Sequence, residues 1–95
     1  MHVISKTAWK EAAERDPALA KALAEWHKVA STSSWSNIVD VRRTYPHADF
    51  VDPYTVFNVC GNRYRLVVKI EYRWSLIFVK QVMSHAEYTR EGVHD

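Results

Sequence analysis

The feature that most constrains this chain is the pair Gly61-Asn62 and the strand that follows it. A glycine-asparagine pair favours a two-residue hairpin, because both central residues of that turn need positive φ. Upstream, Thr55 to Cys60 is rich in β-branched and aromatic residues. Downstream, Arg63 to Tyr72 alternates, with Tyr64, Leu66, Val68, Ile70 and Tyr72 on one face and Arg63, Arg65, Val67, Lys69 and Glu71 on the other. That is the pattern of a half-buried antiparallel strand. A two-residue loop pairs Cys60 with Arg63 and Asn58 with Arg65. Arg73-Trp74 reads as a second turn and Ser75 to Met83 as a last strand. An even-length second loop pairs residue 67 with residue 80 and sets Lys80 on the Arg65 side; an odd one flips it. The even reading gathers Asn58, Arg63, Arg65, Lys69 and Lys80 on one basic face. It leaves Phe57, Val59, Tyr64, Leu66, Val68, Ile70, Ile77 and Val79 as a core.

The first half has a different period. Met1 to Ile4 reads as an opening strand, and Ser5 as the N-cap of a helix through Arg15. Asp16-Pro17 breaks it. Leu19, Ala22, Leu23, Trp26 and Val29 have helical spacing, so a second helix is expected over 18–30. Ser36 is placed to cap a third, through Arg43, closed by Pro46. After the last strand, Ser84-His85-Ala86-Glu87 has the form of a capping box opening a helical turn. The tail from Thr89 is expected to be loose. The order of strand, two or three helices and then three strands predicts an α+β domain. Helices should cover one face of a mainly antiparallel sheet of about four strands and leave the other partly open.

The 95 residues suit one domain, 1–95, and a hydrophobic share of 47% is enough for a core. No run approaches the ~18 apolar residues of a membrane span, and the start lacks a secretory layout, so the expected location is cytoplasmic without membrane contact. Cys60 is the single cysteine and the histidines show no metal-ligand spacing, so neither metal nor cofactor is expected. The net charge is only +2, but it is unevenly spread. Residues 1–60 balance, whereas 61–83 carry Arg63, Arg65, Lys69, Arg73 and Lys80 against Glu71 alone. A locally basic sheet favours a polyanion partner.

A basic face with nearby tyrosine and tryptophan suits single-stranded RNA, whose phosphates are gripped while its bases stack. The same pattern also fits an ordinary solvated outer face. His85 and Tyr88, three apart in a helical turn beside that face, are candidates for proton transfer. RNA cleavage needs a base for the 2′-hydroxyl, an acid for the leaving 5′ oxygen and cations for the phosphorane. A histidine serves either role near neutral pH, while a tyrosine hydroxyl, titrating near ~10, needs neighbouring cations to act as a base. A plain helix start at His85 and a core anchor at Tyr88 remain the alternatives. His47 and Arg42-Arg43 are within possible reach of RNA, although nothing in the sequence requires it.

The run Val56-Phe57-Asn58-Val59-Cys60-Gly61-Asn62-Arg63-Tyr64-Arg65-Leu66-Val67-Val68 resembles the middle of the HigB toxin family. The end, Val82-Met83-Ser84-His85-Ala86-Glu87-Tyr88, resembles that family's closing Thr-His-x-Glu-Tyr. The resemblance implies a RelE-like fold and the toxin half of a type II toxin–antitoxin pair. It implies a metal-independent endoribonuclease that cuts messenger RNA in the ribosomal A site. Its partners would be mRNA, the ribosome and a HigA-like helix-turn-helix antitoxin, with DNA reached only indirectly through the antitoxin complex. Carried over, Arg65 is the phosphate clamp, Lys80 a catalytic cation, and His85 and Tyr88 the acid–base pair. Asn58, Asn62 and Arg63 support substrate binding or the hairpin itself, and the basic Lys69 and Arg73 of the same stretch are further substrate-binding candidates. Ser84 replaces the usual threonine, Cys60 stands where glycine is common, and Lys80 in place of arginine loses bidentate phosphate binding. A non-catalytic RNA- or ribosome-binding module using the same face is the alternative. The nuclease reading requires Arg65 and His85 to lie close together and Lys80 to stay out of the core.

Overall fold

The computed structural model describes residues 1–5 and 7–92. Among these the chain forms β1 (His2–Ile4), α1 (Thr7–Arg15), α2 (Pro17–Thr32), α3 (Ile38–Thr44), β2 (Asp49–Val51), β3 (Tyr54–Val59), β4 (Tyr64–Glu71), β5 (Leu76–Ser84) and α4 (His85–Glu91). The sheet order is β1-β5-β4-β3-β2. β2 to β5 form an antiparallel meander, while β1 runs parallel to β5 after the chain has crossed through the helices. The class is the expected α+β, with five strands rather than about four. β2 escaped the sequence reading because three exposed residues carry no alternation to detect.

The helices cover one face. Leu19, Leu23, Trp26 and Ala30 of α2 are buried at helical spacing, and they pack on the predicted β3–β5 core of Phe57, Val59, Leu66, Val68, Ile77 and Val79. Phe57 is the hub. Its ring lies 5.4 Å from Trp26, 6.2 Å from Trp35 and 5.2 Å from Tyr45, so α2, the segment before α3 and the end of α3 are all fixed against one residue of β3. Edge-on contacts, as with Trp26 and Tyr45, and stacked ones, as with Trp35, add about 0.5–1.5 kcal/mol each beyond area burial.

The first hairpin has the expected register, Asn58↔Arg65 and Val59↔Tyr64, and Gly61 and Asn62 both hold positive φ, 61° and 71°. The second follows the expected pairing from Glu71↔Leu76 to Val68↔Val79, then departs. A bulge moves the partner of Val67 from residue 80 to Gln81. One inserted residue reverses the parity of everything beyond it, which sets Met83 opposite Arg65.

Other boundaries also differ. α3 is capped by Asn37, whose Oδ1 accepts from the Asp40 backbone at 3.0 Å, and not by Ser36. Asp40 Oδ2 in turn accepts from the Ser36 backbone at 3.0 Å. The expected loose tail is helical as far as Glu91, because the Ser84 capping box nucleates a full α4. The Ser5 cap adjoins Lys6, which lies outside the described residues, as does His94.

Candidate functional site

The face away from the helices is only partly open. Val56, Val67 and Met83 are buried there in a small second cluster, with Tyr54 and Tyr88 packed against it. Arg65 stands in the same layer and is only 8% exposed. Nη1 donates to the carbonyls of Asn62 at 3.0 Å and Tyr64 at 3.2 Å. Nη2 lies 2.8 Å from Nδ1 of His85, and the guanidinium carbon sits 5.9 Å from the centroid of the Tyr88 ring. Among the described residues no carboxylate lies within ion-pair distance of Arg65. Burying a cation without a counter-charge is costly. The site therefore holds a positive charge, met only by dipoles and a π face, beside an open cleft.

α4 brings the other two groups. The Ser84 hydroxyl accepts from the Glu87 backbone at 3.1 Å, and Glu87 Oε1 accepts from the Ser84 backbone at 2.9 Å. The same carboxylate oxygen accepts from Arg15 at 3.1 Å, which ties α4 to the end of α1. The Ser84 backbone first, then Arg15 and the Ser84 hydroxyl, hold the Glu87 carboxyl below its usual range. The His85 backbone donates to the Arg63 carbonyl at 2.8 Å. His85 is thus anchored on both sides while its ring stays exposed, and Tyr88 follows one turn later against the apolar floor.

The predicted residues do not all converge. Arg65, His85 and Tyr88 do, and Asn58 joins them as the cross-strand neighbour of Arg65 on the wall of the cleft. Asn62 contributes its backbone carbonyl and the turn. Arg63 faces elsewhere: it forms an ion pair with Asp16 at the α1–α2 junction, where the Tyr64 hydroxyl also approaches the same carboxylate at 3.4 Å. Lys69 pairs with Glu71 at 3.3 Å. Arg73 lies over the ring of Trp74, 5.1 Å from its centroid, at the far hairpin. The strand from Arg65 to Glu71 alone spans about 20 Å, and Arg73 lies beyond its end. Lys80 is exposed, as the reading required, but the bulge sets it beside α1, where it lines clefts with Ala8 that do not include Arg65. The four cations of the expected basic face have become one buried cation and three outlying ones, with Arg73 apart from them at the hairpin.

Arg42, His47 and Asp49, from the corner between α3 and β2, complete the cleft around Arg65, Asn58 and Tyr88. The sequence reading touched the first two without being able to place them, and it missed Asp49 because it missed β2. Among the described residues no three of His, Cys, Asp and Glu come together as a metal site, and no helix is long and apolar enough to cross a membrane.

A family model described as HigB_toxin, the RelE-like toxic component of a toxin–antitoxin system, matches residues 19–91. Over 93 residues the chain is 31% identical to the mRNA interferase HigB of Escherichia coli O6:H1, covering 95% of this chain and 90% of that protein. It is 29% identical over 91 residues to the mRNA interferase toxin HigB of Escherichia coli K12 and equally to the mRNA interferase HigB of Shigella flexneri, covering 93% of this chain and 88% of each relative.

Proposed function

The chain belongs to the HigB toxin family of RelE-like toxins, and from that premise we propose that it cleaves messenger RNA as the toxin of a toxin–antitoxin pair, with Arg65, His85 and Tyr88 at the reacting phosphate. The observation that carries the site is the buried, unneutralised Arg65 in hydrogen-bond contact with His85 at 2.8 Å. A phosphate supplies the missing negative charge, and two planar N–H groups of Arg65, one on Nη2 and the Nε one, are left to meet it.

The reaction is attack of a ribose 2′ oxygen on the adjacent phosphorus. The O2′–P bond forms, the P–O5′ bond breaks, and the products carry a 2′,3′-cyclic phosphate and a 5′-hydroxyl. One proton leaves O2′ and one arrives at O5′. Arginine can only donate, so Nδ1 of His85 accepts, and the single hydrogen of the neutral ring is on Nε2. In the free protein His85 is therefore a donor at its outer edge and cannot take a proton there. When a phosphate on Arg65 competes for the Nη2 hydrogen that His85 accepts, Nδ1 becomes free to bind a proton from solvent, and His85 becomes the acid that protonates O5′. Tyr88, its ring against the Arg65 cation, gives its hydroxyl proton to solvent and takes the 2′ proton in its place, and Arg65 offsets the charge that builds on the phosphorane. These steps use side chains alone.

Lys80 and Arg73 lie outside this centre and serve as cations for flanking phosphates of a longer polyanion, whereas Arg63 and Lys69 are already met by Asp16 and Glu71. That spread suits messenger RNA held on a ribosome, with cutting in the A site, in the cytoplasm. An antitoxin of helix-turn-helix type would neutralise the toxin and link it indirectly to operator DNA. The decisive experiment is induced expression of the wild type, Arg65→Ala and His85→Ala, with growth scored and 5′ ends of cellular messages mapped. Growth arrest with new cuts inside coding regions, absent from both variants, supports the reading. Normal growth and intact messages with folded, well-expressed wild-type protein overturn it.

A further inference from the structure

We propose that the corner between α3 and β2 builds a nucleotide subsite beside the reacting phosphate. In it Arg42 grips a neighbouring phosphate, and Asp49 reads a base edge that donates hydrogen bonds, guanine above the others. The inference deepens the ribonuclease reading and takes from it only that the ligand is single-stranded RNA.

The cleft is open and shallow-sided, with a volume of about 480 Å³, within the ~300–1,000 Å³ of pockets that seat small-molecule-sized groups. Register supplies its dimensions. Asn58 pairs with Arg65, Asp49 pairs with Val56, and Val56 pairs with Val67. Strands lie ~4.8 Å apart, so Asp49 stands about 10 Å across the sheet from Val67, two residues along β4 from Arg65. That interval has room for one nucleotide between the reacting phosphate and the corner. The floor is apolar: Val56 is buried and continues into Val67 and Met83, and Tyr88 packs against them. A flat apolar floor with an aromatic edge suits a nucleobase.

The polar rim carries both signs of charge, and each has a use. Arg42, in the last turn of α3, donates from Nε to the Ala48 carbonyl at 3.0 Å. That bond fixes the guanidinium and leaves its terminal nitrogens available. Its neighbour Arg43 is neutralised by Asp40 at 3.3 Å, but among the described residues Arg42 has no carboxylate partner. A held, unneutralised guanidinium on the wall of an RNA cleft is a phosphate grip. Asp49 would repel a phosphate, and no described cation pairs with it. What a carboxylate accepts is N–H. Guanine presents two adjacent N–H groups, N1–H and N2–H, which match the two carboxylate oxygens. Each other base offers a carboxylate less: one amino group on adenine or cytosine, one imino group on uracil. Asn58 across the cleft adds an amide edge able to donate and accept.

Equilibrium binding tests this separately from cleavage. The purified protein is titrated with five-nucleotide RNAs methylated at every 2′ oxygen, which cannot be cut, carrying either guanine or hypoxanthine at each position in turn. Hypoxanthine lacks only the N2 amino group. At one position the wild type should bind guanine about 10- to 150-fold more tightly, the effect of one hydrogen bond to a charged group. Asp49→Ala should lose that discrimination, and Arg42→Ala should weaken all sequences alike by several-fold. Equal binding of the two bases by the wild type, no measurable binding, or discrimination that survives in Asp49→Ala overturns the subsite. Discrimination in binding by a protein that leaves cellular messages intact would overturn the nuclease reading and leave the subsite standing.

Discussion

Arg65 Nη2 and His85 Nδ1 lie 2.8 Å apart, joining the middle of the sheet to the first residue of the last helix. The contact fixes the ring hydrogen of His85 at Nε2 while it lasts. It also makes the guanidinium the one element that touches both the proton-transfer group and the place left for a phosphate.

The tautomer is directly observable. In ¹⁵N spectra of the free protein, His85 should show a hydrogen on Nε2 and a bare Nδ1, and Arg65→Gln should mix the two tautomers. A dominant Nδ1–H form in the wild type would sink the assignment. His85→Ala should lower the cleavage rate by about 10²–10⁴, the usual contribution of a positioned acid or base.

Arg65→Ala should cost stability as well as activity, because Arg65 is buried and its loss strands the carbonyls it serves. A loss of about 1–3 kcal/mol is expected in denaturant unfolding. His85→Ala, at an exposed ring, should stay within about 0.5 kcal/mol of the wild type. Equal costs for the two would mean that the burial of Arg65 has no energetic consequence.

Lys80 separates two roles. As an outlying cation it should contribute one phosphate contact, so Lys80→Ala should reduce the log–log salt slope of RNA binding by about 1. Turnover at saturating substrate should hold within about threefold. A drop comparable to that of His85→Ala would restore Lys80 to the reacting centre.

Acid should loosen α4 before the rest of the domain. The folded-state carboxyl of Glu87 lies below its ordinary 4.5, held there chiefly by the Ser84 backbone and Arg15. The stabilisation it gives is therefore fully present above that value and fades as pH falls through the lowered one. Amide protection factors in α4 should fall below pH 4.5 in the wild type and show a smaller acid response in Glu87→Gln. Ser84→Ala removes the cap itself and should cost about 1 kcal/mol at any pH.

Much of this protein is determined locally and was legible in the sequence. Gly61-Asn62 demands positive φ, so the first hairpin and its Asn58–Arg65 pairing follow from two residues. Alternation along β4 picks the core face, and Ser84 with Glu87 specifies the start of α4. These are near-neighbour effects, set within a few residues of chain. The tertiary structure decided what depends on packing between distant segments. The bulge at residue 80 left no mark in the composition of β5, yet it moved Lys80 from the predicted basic face to the side of α1. Whether Arg63 faced RNA or Asp16 depended on where a helix junction came to rest, 47 residues away in the chain. Burial of Arg65 needed Tyr88 and the second apolar cluster to close around it. β2 and the corner bearing Arg42, His47 and Asp49 were placed by the packing of Tyr45 and Trp35 on Phe57. Strand parity can assign a side chain to a face, but only the assembled core determines which of the charges on that face meet.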